Sequence, residues 1–327
     1  MAGRRVGDFL RANWIWGLAI AGLTALVLVV NPEKLGHVMG QVRISILLLM
    51  APVTVGIVIL RGIGWWFALR RIGVNIPVLR AVAVVIASKP MVFLPAGDLG
   101  RVAVLEEVER HGRGGGEVAA TIAFQEIGFL LLMLVPLVPA VFIQPALAPL
   151  LLFLILLYGG ILTVLGWEPA YERAVALVEL IPFLRRFDTD LRRIRGAFLR
   201  LFSRRTLLGV GVFDALGVAL TFVLFELALH AVGVDAVGLL QATVIYAVAY
   251  VVSGLTMTPV GFGAYEGIIT GFMVLQGVPP SEGAAAALLY RGFNDVLMAV
   301  LGLGVLLAIR RRAEPRTVPA ELAAQHD

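Results

Sequence analysis

Between Val118 and Leu165 the chain carries one charged side chain, Glu126. Such a stretch has no polar face to give to water, and it is long enough to cross a bilayer twice, because one helical crossing takes about 20 apolar residues. It divides into spans from Val118 to Ala140 and from Leu147 to Leu165, and similar runs extend from Trp14 to Val30, Ile44 to Leu60, Thr206 to Leu229 and Ala284 to Ile309. Six transmembrane helices are therefore expected. The whole chain is 60% hydrophobic and 15% charged, with a mean hydropathy of +0.94. That balance excludes a soluble enzyme with one buried core, a disordered chain and a secreted disulfide scaffold. With no cysteine, disulfides, thiolate metal sites and cysteine nucleophiles drop out as well.

Two further apolar stretches, Ala81 to Leu94 and Ala242 to Thr258, end in Pro95-Ala96-Gly97 and in Pro259-Val260-Gly261-Phe262-Gly263. Broken backbone at membrane depth survives only where protein or a wet cavity surrounds it, so both read as re-entrant hairpins. The arginines support this layout. With the N-terminus inside and neither hairpin crossing, every one of the 27 basic residues falls on the cytoplasmic side except Lys34 and Arg43, which lie outside, and Lys89 and Arg291, which lie within membrane segments. This is the positive-inside distribution, and it puts both termini in the cytoplasm; only two lysines among the 27 basic residues point to a GC-rich prokaryotic source, hence a prokaryotic cell membrane. A signal peptide is the alternative reading of Arg4, Arg5 and Arg11 before an apolar run, but no small-x-small cleavage site follows them.

The two halves of the chain share residues at a nearly constant spacing. Ser88, Gly112 and Glu117 recur 165 residues later as Ser253, Gly277 and Glu282, Pro95 and Gly97 recur after 164 as Pro259 and Gly261, and Gly73-Val74 recurs after 160 as Gly233-Val234. Two spans, a broken hairpin and a third span per half make an odd number of crossings, so the second copy is expected upside down, as in many secondary transporters. The expected organisation is one transmembrane domain over 1–327. Residues 10–142 form the first inverted repeat, 143–312 the second with a cytoplasmic amphipathic segment at 170–205, and 313–327 a flexible tail. The plain alternative is two ordinary helices kinked by Pro and Gly.

Charge inside a span costs about 2.5–3.5 kcal/mol on insertion scales and marks a functional candidate. The deep candidates are Glu126, preceded by Gln125, and Arg291, preceded by Tyr290 and followed by Asn294 and Asp295 on the same helical face. Glu126 and Arg291 are 165 residues apart, so a central ion pair between them is expected, either as a substrate or proton site or as structural glue. Asp214 and Glu226 rank lower, as proton-relay candidates. In the first hairpin, Lys89 and Arg101 place positive charge beside the break at Pro95, Gly97 and Asp98, which suits a phosphate; Asp98 also reads as a helix N-cap. The second hairpin, with Pro259, Gly261 and Gly263, has Glu266 as its only charge. From Tyr171 to Arg205, Leu191, Ile194, Phe198 and Leu201 recur at helical spacing among arginines, the pattern of an amphipathic helix on anionic inner-leaflet lipid. No phosphate-binding Gly-x-x-x-x-Gly-Lys loop, His-Glu-x-x-His or Gly-x-Ser-x-Gly is present, and the four histidines are scattered. No cofactor, metal site, nucleic-acid partner or catalytic residue is expected.

The run Leu94-Pro95-Ala96-Gly97-Asp98-Leu99-Gly100-Arg101 with Gln125-Glu126, and later Thr258-Pro259-Val260-Gly261-Phe262-Gly263-Ala264-Tyr265-Glu266 with Leu289-Tyr290-Arg291, resembles the lysylphosphatidylglycerol synthase transmembrane family, which includes the flippase domain of multiple peptide resistance factors. The resemblance covers about residues 10 to 312. Where that family usually has Glu-Arg in the third span, this chain has Glu126-Ile127. The resemblance implies translocation of a lipid between leaflets, with aminoacylated phosphatidylglycerol or polyprenyl-phosphate sugars used in glycosylation as substrate classes, and no chemical reaction. Lys89, Arg101, Gln125, Glu126, Tyr290, Arg291, Asn294 and Asp295 are the expected substrate-binding residues, with the Pro/Gly hairpins and Glu266 as gates. A carrier for a small soluble anion and a non-transporting scaffold for a membrane glycosyltransferase are the alternatives.

Overall fold

The computed structural model describes residues 24, 28, 31–94, 97–108, 115–179, 188–255 and 261–313. The described residues form helices and turns. In chain order the helices are α1 (Pro32–Gly40), α2 (Ile44–Arg71), α3 (Val78–Ala87), α4 (Gly100–Val108), α5 (Gly115–Leu134), α6 (Leu137–Ile143), α7 (Ala148–Gly166), α8 (Glu168–Glu179), α9 (Asp188–Leu201), α10 (Arg204–Ala231), α11 (Leu239–Leu255), α12 (Ala264–Leu275), α13 (Pro280–Arg291) and α14 (Met298–Ala313). Five continuous helical segments are long and apolar enough to cross a membrane: Ile44–Arg71, Gly115–Phe142, Pro145–Gly166, Arg204–Ala231 and Pro280–Arg311. The span expected from Trp14 to Val30 lies almost wholly outside the described residues. Pro95, Ala96 and Pro259 lie outside them too.

Helices α2 and α10 form the middle of the molecule. Each has 28 residues, and the step from Ile44 to Arg204 equals the step from Arg71 to Ala231. Both end in the same way. Gly73 and Gly233 each adopt φ +86°, and the next residue's N–H turns back to a carbonyl of the last turn, Val74 to Leu69 and Val234 to Leu229, both at 3.0 Å. This positive-φ stop suits glycine because it has no Cβ to clash. The two helices approach closely through glycines, as packing in lipid favours. Gly56 lies against Leu220, Gly64 against Phe213 and Gly209 against Phe67, so contacts move down one helix as they move up the other. The helices are antiparallel.

Two hairpins flank this pair. In the first, α3 gives way at Pro90 to a tight turn of helix over Lys89–Phe93, and after the break a short turn at Gly97–Leu99 leads into α4. Proline has no N–H to continue an α-helix. Gly97 is obligatory at this bend, since a Cβ there would lie 2.0 Å from the Met91 carbonyl oxygen. In the second, α11 is followed by Gly261 (φ +67°) and Gly263 (φ +82°) before α12 begins. The hairpins touch where Phe93 and Phe262 stack, with ring centroids 6.1 Å apart. The last membrane segment packs on the first hairpin through Gly302, where a Cβ would come within 2.3 Å of the Ile86 carbonyl oxygen. Helix α7 stands apart, burying only Leu154 and Tyr158. Leu150, Leu151, Leu162 and Leu165 pack partly against the rest of the molecule, while Leu152, Phe153, Ile155, Leu156 and Ile161 are exposed, as suits a face toward lipid.

The described part of the segment between Tyr171 and Arg205 rests against the rest of the molecule. Its apolar stripe packs on protein: Phe198 and Phe202 meet Phe124 of α5 edge-on, and Ala197, Phe198 and Leu201 are buried. Its arginines pair with acids, Arg192 with Glu172, Arg195 with Glu168 and Arg200 with Glu117. The Arg192 hydrogen bonds hold the Glu172 carboxyl below its ordinary value. Helical periodicity showed that one face is apolar, but α5 covers that face here. The side chain of Leu191 lies outside the described residues.

Candidate functional site

The buried apolar residues fall into two separate clusters. Along α2 the division comes beside Ile57 and Val58, along α5 between Phe124 and Phe129, along α10 between Val210 and Val218, and along the last segment between Tyr290 and Met298. Polar and charged residues lie in or beside each division: Arg61 just past Val58 on α2, Gln125 and Glu126 on α5, Asp214 on α10, then Arg291 to Asp295. A polar layer thus cuts through four spans at mid-helix, and Asp98 of the first hairpin and Phe262 and Gly263 of the second reach it.

In the first half of the chain, Arg101 on α4 is the hub, 1% exposed. Its guanidinium donates to Gln125 Oε1 at 2.8 Å, Glu126 Oε1 at 3.1 Å and Asp98 Oδ1 at 3.2 Å. Arg61 on α2 pairs with the same Glu126 oxygen and lies over the Phe129 ring, 4.5 Å from its centroid. The Arg61 Nε is buried without a hydrogen-bond partner. Gln125 cross-links three helices, donating to the Arg61 carbonyl at 2.9 Å and to Asp214 Oδ1 at 2.8 Å. Lys89 is half-buried at the start of the first hairpin's turn. It has no ion-pair partner among the described residues, although Arg61, Asp98, Arg101 and Asp295 are all within electrostatic reach.

In the second half, Glu266 on α12 is fully buried. One of its oxygens accepts from the Gly263 N–H at 2.7 Å, closing the first turn of the helix. The other lies 2.5 Å from Arg291 Nε, a close ion contact without the alignment of a hydrogen bond. Arg291 also donates to Asp295 at 3.1 Å, Asn294 donates to the same carboxylate at 2.7 Å, and the guanidinium lies over Phe262 and Tyr265 at 4.7 and 4.5 Å. Residues Gly292–Leu297 form a π-helical bulge, an irregularity frequent at functional sites.

The expected central pair between Glu126 and Arg291 does not form. Glu126 is held by Arg61 and Arg101, and Arg291 by Glu266 and Asp295. Each pair uses a hairpin residue and a residue of the following span, and the order of charge is reversed: Arg101 with Glu126, then Glu266 with Arg291. The 165-residue step that relates Glu126 to Arg291 also relates Arg101 to Glu266. Arg61, expected at the cytoplasmic end of a span, sits instead in the interior of α2. Tyr290 is buried among aromatic rings, its hydroxyl 2.7 Å from that of Tyr246, so it stands beside the charged layer rather than in it. Glu226 lies near the far end of α10, 3.9 Å from His230, apart from the layer. Asp98 holds Arg101 instead of serving only as a cap.

The balance of charge differs between the halves. Lys89, Arg61 and Arg101 lie with Glu126, Asp98 and, across Gln125, Asp214, whereas Arg291 alone faces Glu266 and Asp295. An anion is therefore better received in the first half, where a lysine is unpaired and an Arg61 N–H is free. No group of three or more His, Asp or Glu suited to a metal occurs among the described residues. A small, half-open pocket lies elsewhere, at the open end of the second hairpin, lined by Gln144, Gln241, Gln276 and Phe272 among others; none of the charged layer reaches it.

The family model for the lysylphosphatidylglycerol synthase TM region matches residues 14–302. No curated protein matches the sequence. Helices suited to spanning a membrane, two hairpins meeting at a buried charged layer and a match over most of the length lead to one assignment: the chain belongs to the lysylphosphatidylglycerol synthase TM region family, a multi-pass membrane domain linked to lipids.

Proposed function

We propose that this protein is a lipid flippase that carries a phosphate-containing headgroup through the polar layer while the acyl or prenyl tails stay in the bilayer. The observation that carries the reading is the cluster of Lys89, Arg61 and Arg101 beside the point where the hairpins meet. Cations are costly in a span unless function or pairing offsets the cost, and Lys89 has no carboxylate of its own. Two guanidiniums and an ammonium match the charge and geometry of a phosphodiester. In the empty state Glu126 and Asp98 balance the arginines. When a headgroup enters, the phosphate replaces part of that balance.

Alternating access follows from an inverted repeat. Six spans and two re-entrant hairpins, with both termini cytoplasmic, make each half an odd number of crossings. The antiparallel contact of α2 and α10, their equal lengths and matching glycine stops, and the charge-reversed pairs support duplication with inversion. Rocking one half against the other so that the Phe93–Phe262 contact parts would open the layer first to one leaflet and then to the other. The lipid leaves chemically unchanged. Phospholipids and polyprenyl-phosphate sugars both fit the cluster, and a membrane glycosyltransferase is a natural partner for the latter.

The test is leaflet exchange in liposomes holding labelled phosphatidylglycerol, lysyl-phosphatidylglycerol, polyprenyl-phosphate-mannose or a phosphate-free galactosyl-diacylglycerol. Exchange of at least one phosphate lipid, without acceleration of the galactolipid, is expected. Folded protein that moves none of them, or the galactolipid equally well, contradicts the reading.

A further inference from the structure

Asp214 is a carboxyl group in the interior of a spanning helix, 1% exposed. One oxygen accepts from Gln125, and the other is buried without any hydrogen-bond partner. The backbone of α2 closes over it at Gly64, where a Cβ would lie 3.2 Å from Asp214 Oδ1. The charged groups facing it are Arg61 on α2, Arg101 on α4 and Glu126 on α5. Helices α11 and α13 meet α10 further along, where Phe225 packs against Tyr246 and Tyr290. Arg61 and Arg101 are already engaged by Glu126 and Asp98, so an ionised Asp214 would be a third anion in the cluster with half its acceptor capacity unmet. A buried carboxyl in that position is better accommodated as the neutral acid.

We propose that Asp214 is a proton-binding site coupled to occupancy of the Lys89, Arg61 and Arg101 cluster. The inference rests on the phosphate reading of that cluster. The step is a simple proton balance, in which the carboxylate takes one proton from water admitted to the polar layer and becomes a carboxylic acid. Gln125 links the two sites, touching Asp214 through its amide nitrogen and Arg101 through its oxygen. An anionic headgroup on the arginines favours protonation of Asp214, and by reciprocity a protonated Asp214 favours the headgroup. Proton and anion bind together, so a transmembrane pH difference gives exchange a direction.

The test uses the full-length protein in detergent. Infrared difference spectra across a pH change should show a protonated-carboxyl band that Asp214→Asn removes, and Gln125→Met, which takes away the amide donor, should shift the loss of the band to higher pH. Calorimetric titration with short-chain phosphatidylglycerol, ionised throughout the range, should show wild-type affinity falling by about 5-fold or more as pH rises through that transition, and Asp214→Asn should remove the dependence. A band unchanged in Asp214→Asn with the Gln125→Met transition unmoved overturns the proton site. A lost band with the same pH-dependent binding in Asp214→Asn overturns the coupling. Wild type that binds no phosphatidylglycerol at any pH, while the band still reports Asp214, refutes the phosphate reading and the coupling with it.

Discussion

Arg101→Ala is expected to destabilise the protein by about 3–5 kcal/mol, because breaking a buried ion pair leaves the partner charge uncompensated. Among the described residues Arg101 is the one group that touches Asp98, Gln125 and Glu126 together, and it ties the first hairpin to α5. Its loss would leave Glu126 with Arg61 alone and would release the hairpin from the span. Arg101→Lys should recover only part of the stability. An ammonium can carry the charge but cannot direct N–H groups to three acceptors in the plane that a guanidinium supplies. Thermal unfolding in detergent, followed by circular dichroism, checks the order wild type, lysine variant, alanine variant. Equal stability of Arg101→Ala and wild type would show that the cluster does not hold the hairpin.

Lys89→Met should behave in the opposite way, leaving stability nearly unchanged and weakening function. Lys89 has no ion pair to lose, and methionine keeps most of its unbranched stem against Gly302. A hydrogen bond to a charged group contributes about 1.5–3 kcal/mol, which corresponds to a decrease in phosphate-headgroup affinity of about 10- to 100-fold. Exchange rates for a labelled phosphodiester lipid, measured at subsaturating lipid beside a melting curve, separate the two effects. A variant that melts early and exchanges normally would assign Lys89 to structure.

Much of this site was legible in the sequence because charge is rare in apolar spans. Glu126, Arg291 and Asp295 stand out on composition alone, and Arg101, counted with the cytoplasmic arginines, stands out only by its place beside the Pro/Gly break; all of them lie in or at the buried layer. Arg61 was not, because it follows an apolar run and then counts among the cytoplasmic arginines. The signal was available in the apolar residues after it: Trp65, Trp66, Phe67, Ala68 and Leu69 extend the helix, so the arginine is interior. Asp214 ranked low because its partner, Gln125, belongs to another helix, and no spacing along one helix reveals that contact. The Glu126–Arg291 pairing failed for a related reason. Spacing relates positions in the two halves without showing that they touch, and each charge found its counterion in its own half, which is the shorter electrostatic path. Pro and Gly within apolar stretches point to the interruptions after α3 and after α11, although the way the first hairpin docks on Gly302 depends on close packing that only the fold shows.

The flippase reading requires the hairpins to part. The chain contains no cysteine, so Phe93→Cys with Phe262→Cys introduces a single defined pair where the two rings now stack. Reconstituted in liposomes with a labelled phosphodiester lipid, this variant should exchange lipid when reduced, stop when joined by a disulfide or a short thiol cross-linker, and resume after reductant cleaves the link. Exchange that continues at the reduced rate in fully cross-linked protein would contradict passage between the hairpins.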